Sequence, residues 1–411
     1  MKTNQFLDFK KEIEVLSDLQ RMVMSILLCD DSETLKKVKT LCHFFEKISI
    51  SKNIPVYEGF LRLFVHLSTF FNITLKEQKK KRNQELFYKI LNELILKHSL
   101  KESFHQSTIF FIFNSNKHFV HYLFNKGVVE IPVIERFIQT CGDHCYFLFF
   151  VPEMKRYSPD LYQKQMDWFK ISEDTINDMF KGELNHLLDE EEINKSQECF
   201  KGKYCIRHEI HSQDLIEKLI RTDDLNSFLD FLSKFENYDL NSIIPPSFLE
   251  NNDDINEING ISLLEYSMSF GSTNIFRYLW LNKVEYSAKS LKYSIIGGNY
   301  EIIHILEEES IYKFTRKHYF IALEYYQFEI AQYFLNTIEM DPPGMREIVS
   351  SFHQTFNYEI LGKYLQDNSP FQEKIIQDDV FECPGLSVLM IYDLLVNQKN
   401  LDINYQQTIL L

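Results

Sequence analysis

Between Gly260 and Leu306 the chain nearly copies itself, and this constrains its fold more than any other feature. The first copy reads Ser262 Leu263 Leu264 Glu265 Tyr266 Ser267, followed by Gly271, Ile275, Phe276 and Leu279. The second reads Lys289 Ser290 Leu291 Lys292 Tyr293 Ser294, followed by Gly298, Ile302, Ile303 and Leu306. Matched positions stand 27 residues apart (291 minus 264, 298 minus 271, 306 minus 279), and a fixed offset of that size implies helix pairs stacked on one another.

Divergent units flank the clear pair. Phe228, Leu229 and Leu232 occupy the places of Ile302, Ile303 and Leu306 at an offset of 74 (302 minus 228), and a long loop with Asn241, Pro245, Pro246 and Asn251 to Asp254 follows them. Ala322, Ile330 and Phe334 repeat Ser294, Ile302 and Leu306 at an offset of 28 (322 minus 294), with Tyr326 in the place of Gly298. Asn299 Tyr300 Glu301 Ile302 returns almost verbatim as Asn357 Tyr358 Glu359 Ile360, 30 residues beyond the intervening unit (360 minus 330). The turn Asp341 Pro342 Pro343 Gly344 lies between these last units, and Gly385 Leu386 Ser387 Val388 Leu389 resembles Gly260 to Leu264 as the start of a closing one.

The N-terminal half is helical by its periodicity. Phe6, Phe9, Ile13, Leu16, Leu19, Val23, Ile26 and Leu27 form one apolar stripe. A second helix is expected after Asp30 to Glu33, with Ser32 as its cap, a third from Pro55 to Phe71 and a fourth over Leu86 to Leu96. Gln106 to Gly127 reads as a helix hairpin broken at Asn114 to Lys117 and stopped by Gly127, and Ile131 to Phe150 adds apolar helical material. Nothing alternates as a strand would. Between Tyr157 and Lys203 the chain turns polar, with the acidic run Asp189 to Glu192 and Gly202. The expected division is therefore an N-terminal α-helical region over 1–200 and a repeat array over 201–411, all-α throughout.

With 411 residues the chain exceeds one compact core. Apolar residues at 45% and charged residues at 25% mark it as folded rather than disordered. A net charge of −15 repels a phosphate backbone unless basic residues are segregated, so no nucleic-acid partner is expected. Met1 to Glu14 has no apolar core of a secretory signal, and no apolar run approaches the roughly 20 residues that cross a bilayer. No membrane partner and a cytoplasmic location are expected. The seven cysteines, at 29, 42, 141, 145, 199, 205 and 383, read as reduced thiols.

The repeating unit, a glycine, then Ser or Thr, Leu, a small residue, a glycine turn and a second helix ending in Leu, resembles an ankyrin repeat. Its usual Thr-Pro-Leu-His box stands here as Ser262 Leu263 Leu264 Glu265, a capping box by spacing. The small helix-contact residue stands as Ser267, Ser294 and Ala322. That box and the phrase Gly271 to Leu279 are similar to a divergent ankyrin family of unknown function expanded in protists. The likeness spans roughly 210 to 366, although its offsets of 27, 28 and 30 fall short of the usual ankyrin period of about 33 residues. It implies an ankyrin-like helical solenoid acting as a non-catalytic adaptor for another protein, with no cofactor. Contact positions in such repeats flank the opening glycine and precede the turn glycine. Carried over, they are Ile258, Asn259, Ile261, Ser269 and Phe270 in the first clear copy and Glu285, Tyr286, Ala288, Ile296 and Gly297 in the second. The next unit supplies Lys313, Phe314, Arg316, Glu324 and Tyr325. The rings of Tyr286, Phe314 and Tyr325 are expected to share a surface patch.

Catalytic chemistry finds little support. No nucleophile elbow, zincin-type helix or phosphate-binding glycine loop is present, and Gly297 Gly298 is accounted for by the turn between paired helices. Cys199, Cys205, His208 and His211 crowd together, but the cysteine spacing is wider than zinc sites use. Cys141, His144 and Cys145 read as buried thiols beside an apolar run. The other reading left open is an enzyme or metal protein in the N-terminal half with repeats for targeting. Lys79 Lys80 Lys81 Arg82, beside Lys76, is compatible with a nuclear import signal or a nucleic-acid contact and equally with a solvated helix start.

The register makes Leu264 and Leu291 matched core positions. Leu291→Ala is therefore expected to cost about 2 to 5 kcal/mol, measured by chemical denaturation; a change within about 0.5 kcal/mol would show the register to be wrong.

Overall fold

The computed structural model describes residues 3–71, 77–180, 206–337 and 341–365. The chain is all-α: among the described residues the only strands are Ile243–Ile244 and Ile261–Ser262, an antiparallel pair. It divides into two compact units. One is built from both ends of the chain, the described residues of 1–103 and 310–411, and the other runs from Phe104 to Glu309. Neither junction coincides with the single border expected near residue 200. That position lies outside the described residues, as do Asp189 to Glu192, Cys199, Cys205 and Gly385 to Leu389.

In the unit built from the chain ends, the Thr3–Leu28 helix buries Phe9, Ile13, Leu16, Leu19, Val23 and Leu27, and its most extensive partner is the Tyr358–Leu365 helix. Polar bonds fix the match. Gln20 donates from Nε2 to Asn357 Oδ1 at 3.1 Å and accepts the Glu359 backbone N–H at 3.2 Å, while Tyr358 donates its hydroxyl to the Gly59 carbonyl at 3.3 Å. An apolar stripe announces a buried face but not what covers it, so sequence spacing could not join residue 20 to residue 357. The second helix, Asp31–Lys47, has Asp30 rather than Ser32 at its N-cap position, and Thr34 returns its hydroxyl to the Asp30 carbonyl. Asn53 caps the Ile54–His66 helix, which continues as a π-helical turn over Leu67–Phe71, and the fourth helix spans Glu77–Lys97.

The Phe104–Glu309 unit opens with the expected hairpin, Gln106–Phe113 and Lys117–Asn125, closed by Gly127 in the left-handed region with Val128 N–H bonded to the Leu123 carbonyl. After five further helices over 131–179 come three helix pairs. The Leu215–Arg221, Leu263–Ser269 and Leu291–Ile296 helices pack side by side in order, and so do their partners Leu225–Leu232, Thr273–Leu281 and Tyr300–Glu309. Leu264 and Leu291 are buried, as the offset requires. Ser267 and Ser294 are fully buried and each returns its hydroxyl to the carbonyl three residues back, at 2.7 and 2.8 Å. The Ser262–Glu265 box caps its helix in both directions.

Two more pairs, Arg316–Glu324 with Phe328–Thr337 and Met345–Thr355 with Tyr358–Leu365, belong to the unit of the chain ends. In all five pairs one residue between the helices adopts positive φ: Asp223 (52°), Gly271 (65°), Gly298 (63°), Tyr326 (57°) and Phe356 (42°). Glycine takes this conformation freely, whereas a bulky side chain there is strained by about 1 to 2 kcal/mol. Tyr326 and Phe356 tolerate it because both rings pack on His66, at 5.7 and 5.2 Å between centroids. His66 is stacked on Phe70 at 4.2 Å and donates to the Glu324 carbonyl at 3.1 Å.

The Tyr326 hydroxyl is buried and has no hydrogen-bond partner among the described residues. Tyr326→Phe is therefore expected to raise unfolding free energy by about 1 kcal/mol, whereas Tyr326→Gly relieves the backbone yet lowers stability by about 2 kcal/mol or more through lost ring burial. Urea denaturation of both variants checks the order, and a Gly variant more stable than the parent would remove the packing account.

Candidate protein-contact surface

The long loop joining the first and second pairs of the Phe104–Glu309 unit carries exposed apolar residues. Its two short strands pair Ile243 with Ser262 and Ile244 with Ile261. Ile243 is 53% exposed, and Ile258, at the end of the loop, is 92% exposed beside exposed Asn259. Asn241 ties this loop to the next connection by accepting the Glu285 N–H at 2.8 Å. Glu285 is exposed and Tyr286 half-buried, its ring 5.0 Å from Trp280. Trp280 donates from its indole to Glu309 at 2.7 Å, and Leu281 beside it is 74% exposed.

Below the tip the surface is held by charge. Lys292 reaches Asp254 at 2.8 Å and Glu257 at 2.7 Å, and Tyr293 donates its hydroxyl to Glu257 at 2.9 Å. Burial opposes the lysine charge, but Asp254 and Glu257 more than offset it and hold its pKa above the ordinary value. Burial, and then the neighbouring Glu257, push the Tyr293 hydroxyl far up.

Other expected contact positions serve packing. Ile261 is buried in its strand, Ile296 and Gly297 are buried while Ala288 is exposed, and Ser269 is buried and returns its hydroxyl to the Glu265 carbonyl. Phe270 is half-buried against Tyr266 at 4.7 Å and His211 at 5.2 Å. In the unit of the chain ends Lys313 is exposed, but Phe314 is buried against Phe334 and Tyr325 against Phe70, both at 5.1 Å. Glu324 is half-buried, and Arg316 is committed to Glu347 at 2.6 and 2.7 Å and to the Asp341 carbonyl. The expected aromatic patch of Tyr286, Phe314 and Tyr325 is therefore not a set of exposed rings: connections this short turn the flanking aromatics inward. Trp280 and Leu281 were legible only as apolar residues that overrun the helix stripe ending at Leu279.

The basic run is structural as well. Arg82 donates to the Cys29 carbonyl at 2.7 Å, the Ile26 carbonyl at 2.9 Å and Thr34 Oγ1 at 3.3 Å, Lys79 donates to the Leu28 carbonyl at 3.1 Å, and Lys80 is 2% exposed. Cations thus cap the C-terminus of the Thr3–Leu28 helix, where orphan carbonyls and the helix dipole favour them. Lys76 lies outside the described residues.

A buried polar network joins the Lys117 helix to the segments 206–213 and 249–257. Arg207 Nη1 donates to both carboxylate oxygens of Glu153, at 2.8 and 3.0 Å, and His121 stands 3.2 Å from the same carboxylate. Burial works against the Glu153 charge, but Arg207 and His121 outweigh it and lower its pKa to about 2. His211 meets Glu250 at 2.6 Å, and the Glu250 carboxylate also accepts the Asn251 and Asn252 backbone N–H groups. Burial notwithstanding, these partners hold Glu250 at about 2. Lys117 donates from Nζ to the Glu250 carbonyl at 2.5 Å, and burial lowers its pKa. His211 is thus bonded to a carboxylate, while Cys199 and Cys205 of the suggested metal cluster lie outside the described residues. Among the described residues no three His, Cys, Asp or Glu side chains converge as a metal site would require. Of the two thiols expected to be buried, Cys145 is buried and burial raises its pKa, whereas Cys141 is exposed, as is His144. Among the described residues no helix is long and apolar enough to cross a membrane. Comparison with protein-family models, curated proteins and solved structures found no match for this chain.

Arg82→Ala removes three charge-assisted bonds and is expected to lower stability by about 1 to 3 kcal/mol, read from the urea midpoint. Unchanged stability would return the basic run to a surface role.

Proposed function

We propose that the chain is a cytoplasmic, non-catalytic adaptor whose stacked helix pairs are of ankyrin-like type and bind another protein. The observation that carries this reading is the pairing of a rigid base with an apolar tip. Three helix pairs pack in order from Leu215 to Glu309; one connection between them presents Ile258 and Asn259, and the next presents Glu285 and Tyr286, the Tyr286 ring lying against Trp280. Stacked repeats present loops on one side at regular spacing, which suits an extended partner surface. Exposed Ile and half-exposed Trp and Tyr supply apolar area with polar handles, the composition that anchors protein interfaces. The positive-φ residue recurring in all five pairs further supports a common repeat ancestry for units with different turn residues.

The test is a double variant, Ile258→Ser with Tyr286→Ala. Neither side chain is buried, so the helical circular-dichroism signal is expected to persist, with a stability loss of about 1 kcal/mol at most for the pair. Affinity capture is expected to retain a stoichiometric protein with the parent chain and to lose it at least tenfold with the variant. Equal capture by both, or no protein retained by the parent, would overturn the proposal.

A further inference from the structure

Both ring nitrogens of His118 are committed, and the network leaves only one way to place the protons. Asn251 Oδ1 accepts the Lys117 backbone N–H at 3.0 Å, a group that can only donate, so the amide orientation of Asn251 is fixed. Its Nδ2 then faces His118 Nδ1 at 2.9 Å and the Asn116 side-chain oxygen at 3.3 Å. His118 Nδ1 must be the acceptor. The ring proton therefore sits on Nε2, which donates to the Glu209 carbonyl at 3.0 Å. A second proton would set N–H against N–H₂ in a site where His118 is only 4% exposed.

We propose that His118 is an acid-opened latch: while neutral, its ring holds the loop 249–257 and the segment 206–213 on the Lys117–Asn125 helix, and protonation releases both. All three elements belong to the Phe104–Glu309 unit. The released loop carries Asp254 and Glu257, the carboxylates that hold Lys292 and Tyr293, so opening reaches the stacked pairs. This inference rests on the polar network and not on the proposed partner.

The surrounding charges set the direction. His118 itself faces Lys117 and His121 on its own helix, the Glu209 carbonyl from the segment 206–213, Glu250 from the loop and the Phe149 ring; around its neighbours stand Arg207, His208 and Glu153 at His121, Asp253 at Lys117 and His211 at Glu250. Burial, reinforced by Lys117 and His121, outweighs the Glu209 carbonyl and Glu250 and brings the His118 pKa down to about 3. A histidine depressed when closed and ordinary when open contributes stability that is whole above about pH 6.5 and is lost as pH falls below it. The opening constant should rise about tenfold per pH unit below that point. Glu153 and Glu250, held at about 2, stay ionised from pH 7 to 5 and do not contribute in this window. His121 is also depressed, by burial and Arg207, and must be separated from His118 by mutation.

The experiment is hydrogen exchange of the full chain at pH 7 and pH 5, corrected for intrinsic rates and read on peptides covering 206–213 and 249–257. Protection is expected to fall at least about tenfold at pH 5. His118→Gln keeps a donor and an acceptor in reach but does not titrate, so most of the acid response should be lost and any remainder belongs to His121. Asn251→Asp places a carboxylate opposite Nδ1 and should reverse the response, holding the loop more firmly at pH 5 than at pH 7. Equal protection of the parent at both pH values would overturn the latch. So would a full acid response in His118→Gln, or parent-like behaviour of Asn251→Asp, which decides the matter alone if His118→Gln does not fold.

Discussion

In the repeat stack backbone packs directly on backbone at Gly297. A Cβ built on Gly297 would lie 1.8 Å from the Met268 carbonyl oxygen and 2.9 Å from the Gly271 nitrogen, so no other residue fits without moving one turn off the next. This contact sets the distance between the second and third pairs, and the neighbouring polar groups are placed for it. Asn299 donates from Nδ2 to the Gly271 carbonyl at 3.2 Å and to Thr273 Oγ1 at 2.8 Å, while its own oxygen caps Glu301 and Ile302. One pair earlier the Asp223 carboxylate accepts the backbone N–H groups of Asn274 and Ile275, capping the outer helix of the following pair. Each turn therefore satisfies orphan amides of its own pair or the next, a buried-backbone requirement met across units. Short connections are a consequence of that spacing, and they leave little of the flanking sequence free to project.

At the chain ends the same turn is built by other means. Tyr326 and Phe356 occupy the left-handed position that Gly271 and Gly298 fill elsewhere, and their rings gather on His66 where the Ile54 helix passes into its π-helical turn. A repeat at the end of a stack has an apolar face without a following repeat to cover it. Here the Thr3–Leu28 and Ile54–His66 helices, from the opposite end of the chain, pack on the Tyr358 helix and its turn. Aromatic rings at the turn enlarge the area available to those helices, and that burial offsets backbone strain of about 1 to 2 kcal/mol per residue.

Features set by neighbours in sequence were legible and features set by distant partners were not. Ser262 and Glu265 announce their capping box three residues apart, and matched Leu264 and Leu291 announce a common core position. The stripe from Phe9 to Leu27 announces a buried face, yet the same stripe would serve on any apolar partner, so the union of residues 3–103 with 310–365 in one unit was invisible. Arg82 looks like part of a charge run because its ligands are backbone carbonyls of a helix some 53 residues earlier (82 minus 29), and carbonyls carry no sequence signal. The candidate contact surface was half legible for a related reason. Positions before and after a glycine locate the connection, but whether Ile258 points out while Ile261 points in depends on a strand pairing with Ile243 and Ile244 across a long loop.

The buried network beneath that surface asks why a chain would bury Lys117, Glu153, Arg207 and Glu250 at all, since an apolar core of the same shape is often as stable. Apolar contacts tolerate sliding, whereas the Asn251 amide accepts one orientation only, fixed by a backbone donor on one side and an imidazole lone pair on the other. The long loop that carries Ile258 has two short strands and buries Ile244, Phe248, Leu249 and Ile255, apolar contacts that do not by themselves fix its register. Its position against the Lys117 helix is determined instead by directional bonds at Glu250 and Asn251, and against the stack by Lys292. Specificity of this kind is costly in desolvation and is retained where one arrangement of a loop must be chosen over many. The exposed end of the loop at Ile258 is then presented in a fixed place by directional bonds added to the loop's own buried apolar residues.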